Sequence, residues 1–178
     1  MSTATPAPAT PRWRRWLVEA AIFIAVLTAF QLWQLRDAAR GPAPDISGHD
    51  LGGTPFHLLE WQNSHPNQAG LVYFWAEWCP VCKTTAGSVS SIDADWPVIS
   101  VAVQSGEDAA VARHMQASDY RWATVNDTRG EWLRRFGLPG MPAFAIIAPD
   151  GNIRFVAVGY TSEIGLRLRL WWASRQTT

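Results

Sequence analysis

Residues 71–83 read Leu-Val-Tyr-Phe-Trp-Ala-Glu-Trp-Cys-Pro-Val-Cys-Lys and hold the only two cysteines of the 178-residue chain, Cys79 and Cys82. On its own, a Cys-x-x-Cys pair can be half of a tetrahedral zinc site or a chance spacing in a buried helix. The surroundings narrow this. Leu71 to Trp75 is an apolar, aromatic run that reads as a buried strand, and the cysteines fall where that strand should end and a helix begin. Pro80 suits the first turn of a helix. In that placement the Cys79 thiol sits at a helix N-terminus, where unpaired N–H groups and the macrodipole favour a thiolate. Cys82 lies one turn further in, less accessible and positioned to attack a mixed disulfide formed on Cys79. The pair can therefore exchange disulfides.

Two stretches also carry a family resemblance. Phe74 to Lys83, FWAEWCPVCK, resembles the active-site stretch of thioredoxin-fold proteins, and Gly137 to Ala143, GLPGMPA, resembles that family's segment around its cis-proline. The likeness runs from about Ala43 to the C-terminus, and its layout is similar to membrane-tethered thioredoxin-like proteins of the TlpA type. Within that group, WCPVC, Val103 to Glu107 (VQSGE) and Val158 to Thr161 (VGYT) resemble the suppressor-of-copper-sensitivity D proteins. The resemblance implies a thioredoxin-like α/β fold, a central mixed sheet flanked by helices. It also implies a cis Met141–Pro142 bond packed against the cysteines, with backbone groups available to an extended substrate. Trp78, Met141 and Pro142 would then shape the site without reacting. From sequence alone, a trans proline at a strand start is the simpler account.

The chain departs from the family pattern at three places. Tyr73 occupies the position of a buried aspartate, Thr85 that of a glutamate found in many TlpA-type reductases, and Gly87 that of a kink-forming proline. Glu77 is close in sequence and is not assigned a catalytic role. Proton transfer through water or through Tyr73 stays open, as does the potential set by the Pro80-Val81 dipeptide.

Composition excludes little else. Fifteen basic and fifteen acidic residues balance, which gives no argument for nucleic acid as a partner. Eleven tryptophans call for burial or an interface. Lys83, the single lysine, follows the second cysteine; a cation there would help hold a thiolate, although compositional bias toward arginine is the plainer explanation. His49, His57, His65 and His114 show no metal-ligand spacing, and no cofactor is expected beyond the redox-active disulfide Cys79–Cys82.

Taken in order, residues 1–15 read as a disordered cytoplasmic N-terminus. Residues 16–35 read as a transmembrane helix, at 20 residues long enough to cross a bilayer. A cleaved signal peptide is the competing reading, but no convincing cleavage site follows, and Trp16 and Trp33 flank the stretch as interfacial anchors would. Arg12, Arg14 and Arg15 put the N-terminus inside. That places a single-pass protein in a bacterial inner membrane, its catalytic domain in the oxidising periplasm. Residues 36–44 form a linker broken at Gly41-Pro42, and 45–178 the thioredoxin-like domain.

Within that domain the expected elements are a hairpin over 46–59 turning at Gly52-Gly53, a polar loop over 61–70, and a helix over 84–95. A strand over 96–103, a helix over 107–118, a short strand at 124–125 and a short helix over 129–136 follow. The chain closes with a hairpin, 143–147 and 153–158, around Asp150-Gly151. Residues 161–175 read as a helix from the family layout, although Ile164, Leu166, Leu168 and Leu170 alternate as an edge strand would. Ile164, Leu168, Trp171 and Trp172 share one helical face.

The expected function is that of a protein thiol–disulfide oxidoreductase, with Cys79 as nucleophile and Cys82 as resolving thiol. Its substrates would be periplasmic protein thiols and disulfides. The resemblance implies a membrane electron donor of the DsbD type and a link to copper tolerance. A dedicated reductase for apocytochrome c is an alternative within the class, and a copper-delivery module using both thiolates is one outside it.

Overall fold

The computed structural model describes residues 12–34 and 36–176, so residues 1–11 of the tail expected over 1–15 lie outside the described residues. The chain divides into two compact units, residues 1–36 and 37–178.

The first unit is helix α1, Arg12–Gln34. It begins at Arg12, so the arginines at 12, 14 and 15 belong to its first turns and not to a tail. Arg15 Nε donates to Glu19 Oε1 at 2.9 Å one turn on. Among the described residues no helix is long and apolar enough to cross a membrane. The spanning helix expected over residues 16–35 is thus not found among the described residues, where the helix carries Arg14, Arg15 and Glu19 in its first half; residue 35 lies outside them. The side chains described along it, from Trp13 and Trp16 to Phe30 and Trp33, are exposed.

The second unit is organised around β4, Gly70–Trp75, every residue of which is buried. Successive side chains of a strand point to opposite faces, and here the two sets feed two cores. Leu71, Tyr73 and Trp75 pack with Ala86, Val89, Leu166 and Leu170. Val72 and Phe74 pack with Phe56, Leu58, Val125 and Phe136. Each fully buried aliphatic or aromatic side chain is worth about 1.5–3 kcal/mol, so a strand apolar on both sides belongs in the middle of a sheet. It lies there: the order is β1-β8-β7-β4-β5-β6. β5 (Val98–Val103) runs parallel to β4 and β6 (Ala123–Asp127) parallel to β5. β7 (Ala143–Ile147), β8 (Asn152–Val158) and β1 (Gly41–Pro42) extend the other side antiparallel. The sheet is mixed, as the resemblance implies.

The helices are α2 (Leu58–Asn63), α3 (Pro80–Asp93), α4 (Asp108–Ala117), α5 (Glu131–Arg135) and α6 (Glu163–Ser174). A separate hairpin pairs β2, Ser47–His49, with β3, Pro55–His57, and its turn is fixed by Asp50, whose Oδ1 accepts from the Gly52 and Thr54 amides.

Three expectations change. The segment read as a linker is part of the sheet: Gly41 and Pro42 pair with Ile153 and Asn152, and Ala38 and Ala43 are buried. The polar loop expected from Trp61 begins as α2, because Gln62 is fully buried and donates from Nε2 to the Gln68 carbonyl at 3.0 Å. The third concerns α6, which is a helix, but its inward residues are Leu166, Leu170 and Ala173. Ile164, Leu168, Trp171 and Trp172 face outward. The apolar periodicity of that segment has two solutions, and only the packing against α3 and β7 chooses between them.

Candidate functional site at the N-terminus of α3

β4 delivers the chain at Trp75 to a short connection, Ala76 to Trp78, after which Cys79 is the N-cap of α3 with extended backbone (φ −90°, ψ 107°). Pro80 takes the first helical position. It has no N–H to leave unsatisfied there, and its fixed φ starts the helix. Cys79 Sγ accepts from the Cys82 amide at 3.1 Å, the bond a serine or aspartate cap would make. A thiolate at this atom would meet the same N–H together with the positive end of a fourteen-residue helix.

Cys79 and Cys82 are joined as a disulfide, with Cα atoms 5.3 Å apart. Both are buried, Cys79 at 5 % exposure and Cys82 at 2 %. The accessibility difference expected between them is therefore small in the oxidised pair. Entry to Cys79 is framed by its neighbours: Trp78 and Val81 are exposed, and the Met141 carbonyl oxygen lies 3.9 Å from Cys79 Sγ. With the sulfur in a disulfide this is a contact and not a donated hydrogen bond. The Met141–Pro142 peptide bond is cis, and Pro142 itself is held to the end of β8 by its carbonyl, which accepts from the Gly159 amide at 2.7 Å. The geometry thus brings Trp78, Cys79, Cys82, Met141 and Pro142 to one end of the sheet.

Two residues the sequence reading left without a role hold this end in place. Trp78 Nε1 donates to the Gln104 carbonyl at 3.0 Å, and the Glu77 amide donates to Ser105 Oγ at 3.2 Å. Gln104 adopts φ 48°, a left-handed conformation uncommon outside glycine. The signal was available, since Gln104 and Ser105 directly follow a parallel strand, and ligand sites in such sheets form at the carboxyl ends of strands.

Behind the cysteines, the Tyr73 hydroxyl donates to the Cys82 carbonyl at 3.1 Å and shares a 3.1 Å hydrogen bond with Thr85 Oγ1. Thr85 Oγ1 lies 3.0 Å from the same carbonyl, so the two hydroxyl protons serve two of these three contacts at a time. Burial pushes the Tyr73 hydroxyl well above the usual phenol range, against a smaller opposing effect of its bond to Thr85. Tyr73 therefore stays protonated at neutral pH. Lys83 is exposed on α3. Among the described residues, no three histidine, cysteine or acidic side chains converge in a way that could hold a metal ion.

Comparison with known proteins places this arrangement. Residues 39–156 match the AhpC/TSA family. The chain belongs to that family. A thioredoxin-like protein of Haemophilus influenzae is 33 % identical over 83 % of this chain and 89 % of its own length. A thiol:disulfide interchange protein DsbE homolog of Paracoccus denitrificans is 32 % identical over 47 % of this chain and 46 % of its own. Among solved structures, that of MTB DsbF in mixed oxidised and reduced forms superposes with a TM-score of 0.62, at 26 % identity, over 72 % of this chain and 95 % of that one. With the mixed sheet, these establish a thioredoxin-like α/β fold, and this member of the AhpC/TSA family is a thiol–disulfide oxidoreductase.

Proposed function

We propose that this oxidoreductase reduces disulfides in protein substrates outside the bacterial cytoplasmic membrane, as TlpA-type proteins do, with Cys79 as nucleophile and Cys82 as resolving thiol. The observation that carries the reading is the position of Cys79: N-cap of α3, bonded by the Cys82 amide and beside the Met141 carbonyl.

The Cys79 thiolate attacks one sulfur of a substrate disulfide. The Cys79–substrate bond forms, and the other substrate sulfur leaves as a thiolate that takes a proton from solvent. Cys82, deprotonated, then attacks Cys79 Sγ and expels the second substrate thiol. Two electrons pass from the pair to the substrate, and the Cys79–Cys82 disulfide is the product. Trp78 and the Met141–Pro142 backbone position the substrate segment. A membrane thiol donor of the DsbD type returns two electrons and two protons to the pair. The exposed apolar side chains of α1, including Phe23, Ile24 and Phe30, support attachment of the chain to the membrane, which raises its concentration near such a donor.

The test is the redox state of the pair in cells, read by alkylating free thiols with a bulky reagent and comparing gel mobility with and without the membrane donor. A pair that is mostly reduced and becomes oxidised when the donor is removed supports the reductive direction. A pair oxidised in both strains contradicts it and makes the protein a disulfide donor. Recovery of the chain in the washed membrane fraction tests attachment separately.

A further inference from the structure

We propose that the outward face of α6 docks on an anionic lipid bilayer. α6 is apolar on two opposite sides. Leu166, Leu170 and Ala173 are buried on the domain. With each residue turning the helix by about 100°, Ile164, Leu168, Trp171 and Trp172 fall on the other side, 73, 61, 44 and 55 % exposed. Ile164, Leu168 and Trp171, together with Trp96 and Arg167, border a shallow groove of about 420 Å³. A contiguous apolar face of this kind marks an interaction site on a closed domain.

The charges around the face select the occupant. Arg167 and Arg169 flank the stripe on its two sides, and the Arg175 guanidinium lies 3.8 Å from the centroid of the Trp171 ring. The nearby acids, Glu163 and Asp95, both pair with Arg167, at 2.8 and 2.7 Å, so that cluster carries one net negative charge and the positive charge of the face is that of Arg169 and Arg175. Leucine, isoleucine and tryptophan bordered by arginine is the composition of a helix lying in a membrane interface, with tryptophan at headgroup level and arginine toward phosphate.

The placement suits the chemistry. Arg167 reaches Asp95 beyond the C-terminus of α3, and Ser174 Oγ accepts from the Ala69 amide just before β4. The cysteines lie at the opposite end of both elements, so a bilayer on this face leaves Cys79 open to substrate. The inference rests on the membrane attachment proposed above and adds to it a contact made by the catalytic domain itself.

The full chain is mixed with vesicles carrying brominated acyl chains, either phosphatidylcholine alone or with phosphatidylglycerol, and its tryptophan emission is compared with that of the Trp171→Phe/Trp172→Phe variant. The difference isolates those two rings. That component is expected to fall at least about twofold in the anionic vesicles and to recover in about 0.5 M salt. Arg169→Glu/Arg175→Glu should abolish the fall. If this component is unquenched while the remaining tryptophans are quenched, attachment is by α1 alone and the inference is overturned. If no tryptophan is quenched, the membrane attachment itself fails. A dimer in sedimentation that Leu168→Arg dissociates, or quenching that requires a protein in the vesicles, would assign the face to a protein and equally overturn it.

Discussion

The Tyr73 hydroxyl and Thr85 Oγ1 lie 3.1 Å apart and within hydrogen-bond distance of the Cys82 carbonyl, at 3.1 and 3.0 Å, so their two protons serve three contacts. Their hydrogen bonds go to the backbone of the resolving cysteine and to each other. Phe144 stacks on the Tyr73 ring at 5.2 Å and Trp122 meets it edge-on at 6.1 Å. A phenol raised by burial in this way stays protonated at neutral pH and holds the backbone of α3 against β4.

Tyr73→Phe is accordingly expected to leave the neutral-pH rate of disulfide exchange within about threefold of the parent and to lower stability by about 1 kcal/mol, the net value of a buried hydrogen bond. Stopped-flow exchange kinetics and denaturant unfolding check the two parts. A hundredfold loss of rate would make Tyr73 a proton-transfer group.

The same residue sets a signature at alkaline pH. Its folded pKa is raised above the unfolded value of about 10. The stability it contributes is therefore complete below pH 10 and is lost as pH rises from there through the folded pKa. The difference in unfolding free energy between the parent and Tyr73→Phe should shrink above pH 10, measured at matched ionic strength. A difference that grows with pH contradicts the assignment.

Gly87 lies in the interior of α3, exposed, and a Cβ added there meets nothing within 4 Å. Gly87→Ala should stabilise the domain by roughly 0.5–1 kcal/mol through helix propensity, seen as a higher denaturant midpoint with exchange activity unchanged. Gly137 is the opposite case. It has φ +62°, and a Cβ would stand 1.8 Å from the Asp37 carbonyl oxygen. Gly137→Ala must displace the Asp37 backbone and is expected to cost more than about 2 kcal/mol, measured by the same unfolding curves.

Arg167 and Ser91 hydrogen bonds hold the Glu163 carboxyl below its ordinary range and tie α6 to α3. With the folded pKa depressed, this contribution is present above the unfolded value near 4.3 and is lost as pH falls through the folded one. Glu163→Gln should flatten that part of the acid-induced loss of stability, followed by unfolding midpoints between pH 6 and 3. An unchanged acid slope would show that the ion pair is screened out in solution.

These sites differ in how far the sequence reveals them. Cys79, Pro80 and the run from Leu71 to Trp75 were readable because strand, cap and nucleophile occur within thirteen consecutive residues, and each has a local rule. The partner segment at Met141-Pro142 came from resemblance, since nothing local predicts a cis bond. Gln104 and Ser105 act through a carbonyl and a hydroxyl just past the end of β5; their place after a parallel strand marks the site end of the sheet, but no spacing encodes the two bonds they make. Gly41-Pro42 reads as a break because proline lacks an amide, yet an edge position opposite Asn152 and Ile153 tolerates that lack. For α6, two apolar faces were both present in the pattern, and the one that looked like a core face by its bulk is the exposed one.

The central claim, that Cys79 attacks and Cys82 resolves, is tested most directly by trapping. Purified Cys82→Ser and Cys79→Ser variants are incubated with a disulfide-bonded protein substrate, quenched in acid and run on non-reducing gels. Cys82→Ser should accumulate a mixed disulfide through Cys79 that mass spectrometry maps to that residue, and Cys79→Ser should accumulate none. A mixed disulfide forming on Cys82 in Cys79→Ser, or equal trapping by both variants, would contradict the account.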